Sequence, residues 1–420
     1  WRYQSDLNDD RDAYLAIARQ LREHGDFAST PGGLTSYRPP LYPLLLTYVS
    51  GSKQTLVRGI FHACLSLGTI LLVWQAGIQL QLSRFGRLAA AGICAFDPVL
   101  LRYLAFPMTE TLSAFLSIFL VVLATRHVIR QTLIASFSIG VVFGLNVLCR
   151  PSFWAFGGLI ALAWFITNWL PGKSRNTISD GPKESPLRER EWPKVLILVA
   201  GVAVTVSPWV IRNALVLGVP VVMTTHGGYT VLLGNNDAFY DEVVKQPYGT
   251  VWDGSHGPGQ SVWVTGIQKQ MQQAGVTSEV DQDDWMTHQA RETMMRRPTD
   301  FLRACLLRQL RFWSVLPGGE WTDSTPRSLI LFIAGWYITI WLSVAVGVGK
   351  LIRVAASPYP HRFLFLSRWM PVFLMVFAIV GVHLLYWTNT RMRAPVMPEI
   401  ALIAGLGAEV RRQRDTREGL

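Results

Sequence analysis

Residues 328–348 read SLILFIAGWYITIWLSVAVGV, a run without a single charge. A helix of about 20 apolar residues spans the hydrocarbon core of a bilayer, where only helices and closed barrels satisfy their own backbone groups. The run predicts a transmembrane helix, and the same reading applies to 56–79, 86–104, 107–127, 132–149, 152–170, 194–213, 369–387 and 393–408. The pairs meeting at Pro107 and at Arg150-Pro151 leave almost no loop and predict tight helical hairpins. The expected fold class is an all-α polytopic membrane protein.

Composition agrees. Of 420 residues 50% are hydrophobic and 16% charged, where a soluble domain carries about 25% charge. The formal net charge is +11, but no basic stripe interleaves with aromatics, which argues against nucleic acid. The Lys and Arg sit between the apolar runs instead. Arg84 and Arg87 form one group, Arg126 and Arg130 a second. Lys173, Arg175, Lys183, Arg188 and Arg190 lie in a Pro/Gly/Ser-rich linker, 171–193. Lys350, Arg353, Arg362 and Arg368 form the fourth, and Arg411, Arg412, Arg414 and Arg417 the tail. Nine alternating spans place all five groups on one side, the cytoplasmic one by the positive-inside bias. Cys64, Cys94 and Cys149 fall inside apolar runs, and no CxxC spacing joins them or Cys305; the three read as small core residues, not as a disulfide or zinc framework. The chain opens at Trp1 with no signal peptide visible, and a first transmembrane helix is expected upstream.

Four segments follow: a first extracytoplasmic loop with interfacial helices (1–55), a transmembrane bundle (56–213), an extracytoplasmic loop domain (214–327), and C-terminal spans with a basic tail (328–420). The stretch from Pro298 to Leu316 alternates Phe301, Leu302, Leu306 and Leu310 with Arg303, Arg308 and Arg311. It suits either an amphipathic helix on the membrane surface or a packed helix of the loop domain.

Six constellations are expected at the extracytoplasmic face. Asp9-Asp10-Arg11-Asp12 precedes a helix that begins at Tyr14 and ends near Gly25; its acids are either helix caps or a general base. Tyr37-Arg38-Pro39-Pro40-Leu41-Tyr42-Pro43 fixes Arg38 just before an apolar stretch, where a guanidinium grips phosphate or snorkels. Glu110, three residues after Pro107, is an ionisable group at the start of a span. Arg150-Pro151 is the fourth. Pro208-Trp209 with Arg212-Asn213 leads to Gly227-Gly228 and Gly234-Asn235-Asn236, a shaped loop or one folded over a bound donor. The sixth, Arg391-Met392-Arg393-Ala394-Pro395, puts two arginines against the positive-inside trend. A phosphate should face them, or else Glu110 or an acid of the first loop. No GxGxxG, Walker A or HExxH motif occurs, and His226 and His256 read as lone surface histidines.

In this order the motifs resemble the GT-C superfamily of glycosyltransferases, in particular the family 39-like enzymes, which include protein mannosyltransferases and bacterial aminoarabinose transferases. The resemblance rests on Asp10-x-x-x-Tyr14, Arg38-Pro39-Pro40-Leu41-Tyr42-Pro43, Thr109-Glu110, Arg150-Pro151, Pro208-Trp209 with Arg212-Asn213, Gly234-Asn235-Asn236 and Arg391-x-Arg393-x-Pro395. It implies a GT-C-type helix bundle with an extracytoplasmic loop domain, in a multi-pass protein of a bacterial inner membrane. It also implies an inverting transfer from a polyprenyl-phosphate sugar to a hydroxyl of a protein, lipid or glycan. The implied base is Asp10, with Asp12 and Asp9 behind it and Glu110 a further catalytic candidate. Arg38, Arg391, Arg393 and Arg150 inherit donor phosphate, and Tyr14, Tyr42, Arg212, Asn213, Gly234 and Asn235 the substrate loops. Relatives often read D-E-x-x-Y where this chain has Asp10-Arg11-Asp12-Ala13-Tyr14. The missing Glu leaves a divalent metal open, and no metal ligand is assigned. The competing readings are a transporter or flippase of lipid-linked sugars, which would need charges at mid-membrane and broken helices in repeated halves, and a non-catalytic scaffold.

Overall fold

The computed structural model describes residues 6–49, 55–129, 131–169, 187–316, 325–358 and 362–409. The chain enters through α1 (Tyr14–His24) and α2 (Leu41–Leu46). A bundle follows: α3 (Thr55–Gln79), α4 (Arg84–Phe96), α5 (Pro98–Leu104), α6 (Glu110–Ile129), α7 (Leu133–Cys149), α8 (Trp154–Trp169) and α9 (Leu187–Leu217). A second helical unit comprises α10 (Gly227–Gly234), α11 (Asp237–Phe239), α12 (Gly259–Gln273), α13 (Glu279–Arg296) and α14 (Pro298–Phe312). The chain returns to the bundle in α15 (Arg327–Ala356), α16 (Arg362–Val382) and α17 (Met397–Ala408). Among the described residues no strand forms; Ala28 and Leu34 make an isolated antiparallel bridge.

Among the described residues five helices are long and apolar enough to cross a membrane: α3, α6, residues 192–217 of α9, α15 and α16. Two of the nine expected spans are corrected. The run 86–104 breaks between α4 and α5, where Pro98, which lacks an N–H, takes the first position of α5. Asp97 turns to an extended conformation there, and its carboxylate accepts from the Val99 and Leu100 amides to cap α5. The run 393–408 is a 3-10 segment, Thr390–Val396, followed by the 12-residue α17. At about 1.5 Å per residue such a helix falls short of the hydrocarbon thickness, and it lies buried from Met397 to Leu406. The α7 and α8 helices are apolar but shorter than the other candidates. The helix expected to start at Pro107 starts at Glu110, which therefore sits in its first turn. The linker reading of 171–193 is shortened, since α9 begins at Leu187. Residues 170–186, Arg130 and the tail arginines lie outside the described residues.

Of these five helices α6 is the most buried. Small residues let its neighbours approach. A Cβ on Gly407 or Gly347 would run into backbone of the facing helix, Ser343 and Ile403 respectively, which brings α15 and α17 into contact. Gly140 and Gly201 do the same for α7 and α9. In lipid, where hydrophobic burial does not drive helices together, this close packing holds a bundle. Lys350 closes the end of α17 by donating to the Leu406 and Glu409 carbonyls at 2.7 and 2.8 Å. Cys94 and Cys149 are core residues as expected, but Cys64 is exposed on the outer side of α3.

The predicted loop-domain segment holds α10–α14. It packs around Phe239, Tyr240, Trp252 and Leu233, with Met271, Met286 and Ala290 in a second cluster. Its junction with the first loop is polar. Glu279, at the start of α13, accepts from the Ser36 amide at 2.8 Å and from the Thr35 and Thr225 hydroxyls.

Candidate functional site

The site begins at the turn before α1. Asp10 accepts from the amides of Leu15 and Ala16 at 2.9 and 2.8 Å. That is helix capping, the plainer of its two readings, and both of its oxygens are engaged in it. Ala13 closes the turn at φ 59°, a left-handed conformation that costs a residue with a Cβ about 1–2 kcal/mol. Asp12, the residue before it, faces the arginines.

Asp12 meets two of them. Arg38 Nη2 donates to its Oδ1 at 2.9 Å, and Arg391 Nη1 lies 3.6 Å from its Oδ2. Arg391 also reaches Glu110, with Nε 3.2 Å from Oε1, and Arg150 Nη1 approaches the same oxygen at 3.6 Å. Four segments distant in sequence thus converge: the first loop, the start of α6, the end of α7 and the 3-10 turn before α17. Three guanidinium groups against two carboxylates leave one positive charge uncompensated. The Glu110 side chain is 1% exposed. Neither of its oxygens, nor Arg150 Nη1 or Arg391 Nε, makes a hydrogen bond. Buried polar atoms held only by ion pairs are costly unless a further partner completes them. The arrangement suits a ligand that brings an anionic group for the arginines and hydroxyls for the carboxylates. It does not suit a divalent cation, because guanidinium groups crowd both acids, and among the described residues no cluster of three or more metal-ligating side chains forms.

Aromatic rings wall the cluster. The Arg38 guanidinium stands 5.6 Å from the centre of the Tyr14 ring and 5.3 Å from that of Tyr37. Tyr14 is buried edge-on against Tyr42. The reading of His226 as a surface residue is corrected. Its Nε2 lies 3.4 Å from Arg38 Nη1, its ring meets Tyr37 edge-on at 4.3 Å, and it stacks on Tyr229. Burial, with the Arg38 charge beside it, pushes His226 down to about 3, so the imidazole is neutral near pH 7 and Nδ1 lacks a hydrogen-bond partner. Only its place directly before Gly227-Gly228 hinted at this. Those glycines let α10 begin hard against α13: Gly228 donates its N–H to Asp283 at 2.6 Å, and a Cβ there would strike the Asp283 carbonyl. His256 is exposed as expected.

Other expected site residues lie elsewhere. Arg393 is 1% exposed, donates to the carbonyls of Phe312 and Ser314, and rests 3.9 Å from the Tyr337 ring centre. It joins α14 to the bundle and does not face a phosphate. Of the two arginines expected to meet an anion, Arg391 faces Glu110 and Asp12, whereas the charge of Arg393 acts on the buried Asp97 before α5. Arg212 donates to the Thr35 and Phe27 carbonyls, and Asn213 donates to Val221 and accepts from Ser36; both shape the first loop from beneath. Asn235 donates to the Val231 and Leu385 carbonyls and accepts from Arg308, beside Gly234, where α10 packs on 385–387. Tyr42 is buried, with its hydroxyl 2.9 Å from His62. These residues build the walls instead of lining the site. No family model matches this chain, and no curated protein or solved structure shows significant similarity to it.

Proposed function

We propose that the protein is a membrane-embedded inverting glycosyltransferase that uses a polyprenyl-phosphate sugar at the extracytoplasmic face. The observation that carries this reading is the Asp12–Arg38–Arg391–Glu110–Arg150 cluster, walled by aromatic rings at one end of an apolar helix bundle. The donor phosphate accepts hydrogen bonds from Arg38 and Arg391, and the uncompensated positive charge favours it. The acceptor hydroxyl attacks the anomeric carbon from the face opposite the phosphate. The new C–O bond forms as the bond to the phosphate oxygen breaks, the leaving electron pair stays on the phosphate, and the arginines stabilise that charge. Asp12 takes the hydroxyl proton. This assignment moves the base from Asp10, whose oxygens are committed to α1. Glu110 stays ion-paired and holds Arg150 and Arg391 in place.

The test is transfer of labelled sugar from polyprenyl-phosphate donors by the purified chain in lipid discs, with acceptors identified by mass spectrometry of glycans and lipids from cells with and without it. Asp12→Asn should lower turnover by about 100-fold or more. Turnover equal to wild type would remove Asp12 from the chemistry. A flippase would move donor across the bilayer without consuming it, and that outcome would replace the transferase reading.

A further inference from the structure

Helix α14 has two unlike faces. Ala304, Arg308 and Phe312 are buried against the loop domain and the bundle. On the other side Leu302, Leu306 and Leu310 stand 66%, 61% and 49% exposed, one above another at four-residue intervals. Arg303, also exposed, flanks them. Exposed Tyr248 and Val251 extend the patch; the Tyr248 hydroxyl donates to the Leu310 carbonyl at 3.4 Å, and Arg311 donates to Thr250 at 3.0 Å. An apolar strip of this kind on a helix otherwise well packed marks an interaction surface.

What covers it follows from its neighbour. Gln309 donates to the Val380 carbonyl at 3.2 Å, and Arg308 donates to that of Leu385, so α14 sits directly on the end of α16. The α16 helix, one of the five long apolar ones, carries exposed Phe363, Met370 and Phe377 at seven-residue intervals. Leu384, exposed one step further, continues the strip to the level of α14. The exposed apolar strip of α16 thus ends at the level where α14, with its leucine stripe, sits on it.

We propose that α14 lies along the bilayer surface, with Leu302, Leu306 and Leu310 inserted at the boundary between headgroups and acyl chains and Arg303 among the phosphates. Helices of this amphipathic type bury one face by about 5–10 Å in that layer. The proposal rests on the membrane reading of the bundle. Through Arg308, which also donates to Asn235 at 2.9 Å, the seated helix braces α10 and hence His226 at the candidate site.

The experiment uses the full chain in discs of phosphatidylcholine and phosphatidylglycerol, with Cys64→Ser and Cys305→Ala removing the accessible thiols. Single variants Leu302→Cys, Leu306→Cys and Leu310→Cys carry an environment-sensitive fluorophore, and the discs carry a shallow acyl-chain nitroxide. Leu342→Cys on the exposed side of α15 is the lipid reference and Glu292→Cys on α13 the aqueous one. The three α14 labels should be quenched at least about threefold more than the one at 292. Reading them separately keeps the test intact if one variant misfolds. Quenching at 342 with all three α14 labels behaving like 292 would overturn the proposal and leave the membrane reading standing. No quenching at 342 would remove the membrane reading and the proposal together. A disulfide between two copies at 306, without lipid quenching, would assign the stripe to a second copy and also overturn it.

Discussion

At the residue scale the turn Asp10–Tyr14 gives different surroundings to two acids of which the family resemblance favours Asp10 as the base. Asp10→Asn weakens a cap, so it should cost about 1 kcal/mol of stability with a much smaller loss of turnover than Asp12→Asn; thermal unfolding and transfer rates on the same preparations distinguish them. Ala13→Gly should retain activity and raise the melting temperature, because glycine adopts the left-handed conformation freely, whereas Ala13→Val should lower both. His226 gives a pH prediction with a definite sign. Its folded value, about 3, lies below the ordinary histidine value of about 6.5. Neutral burial therefore contributes stability that is complete above about 6.5 and lost as the pH falls toward 3. Unfolding followed between those limits should show the loss, and His226→Gln should flatten it.

At the element scale two kinds of joint hold the helices. Within the bundle, glycines set α15 against α17, and Gly407→Leu or Gly347→Leu forces backbone apart. Overpacking of this kind costs about 1–3 kcal/mol or more, and folded yield in detergent should fall accordingly. In the loop domain the joint between α13 and α14 is ionic. Arg297 binds Asp237, Asp241 and Asp300 at 2.9, 2.7 and 2.7 Å. Its hydrogen bonds pull the Asp241 carboxyl down to about 2. A depressed carboxylate stabilises the fold fully above its unfolded value of about 3.9, and the contribution disappears as the pH falls through 2. Hydrogen exchange across α13–α14 should accelerate in that acid window, and Arg297→Met should bring the same acceleration at neutral pH.

At the scale of the whole molecule, the helical class and five of the nine expected apolar spans were legible in the chain. Their signals are local: a charge-free run of sufficient length. The break at Asp97-Pro98 was not legible from the proline alone, since Pro208 and Pro371 lie inside continuous helices; it comes with the Asp97 cap of α5. The candidate site was legible in part. Arg38, Asp12, Glu110, Arg150 and Arg391 each stood out as charges beside apolar runs, but nothing in their spacing said that Arg391 would bridge two acids while Arg393, two residues on, would turn into carbonyls and an aromatic ring. That choice follows from the 3-10 turn, whose three residues per turn point side chains two positions apart in different directions, and from what waits on each side. The sequence by itself determined the solvent each segment prefers, because hydropathy is summed over consecutive residues. Only the tertiary structure decided which acid meets which arginine, since an ion pair depends on a few ångströms between segments tens to hundreds of residues apart.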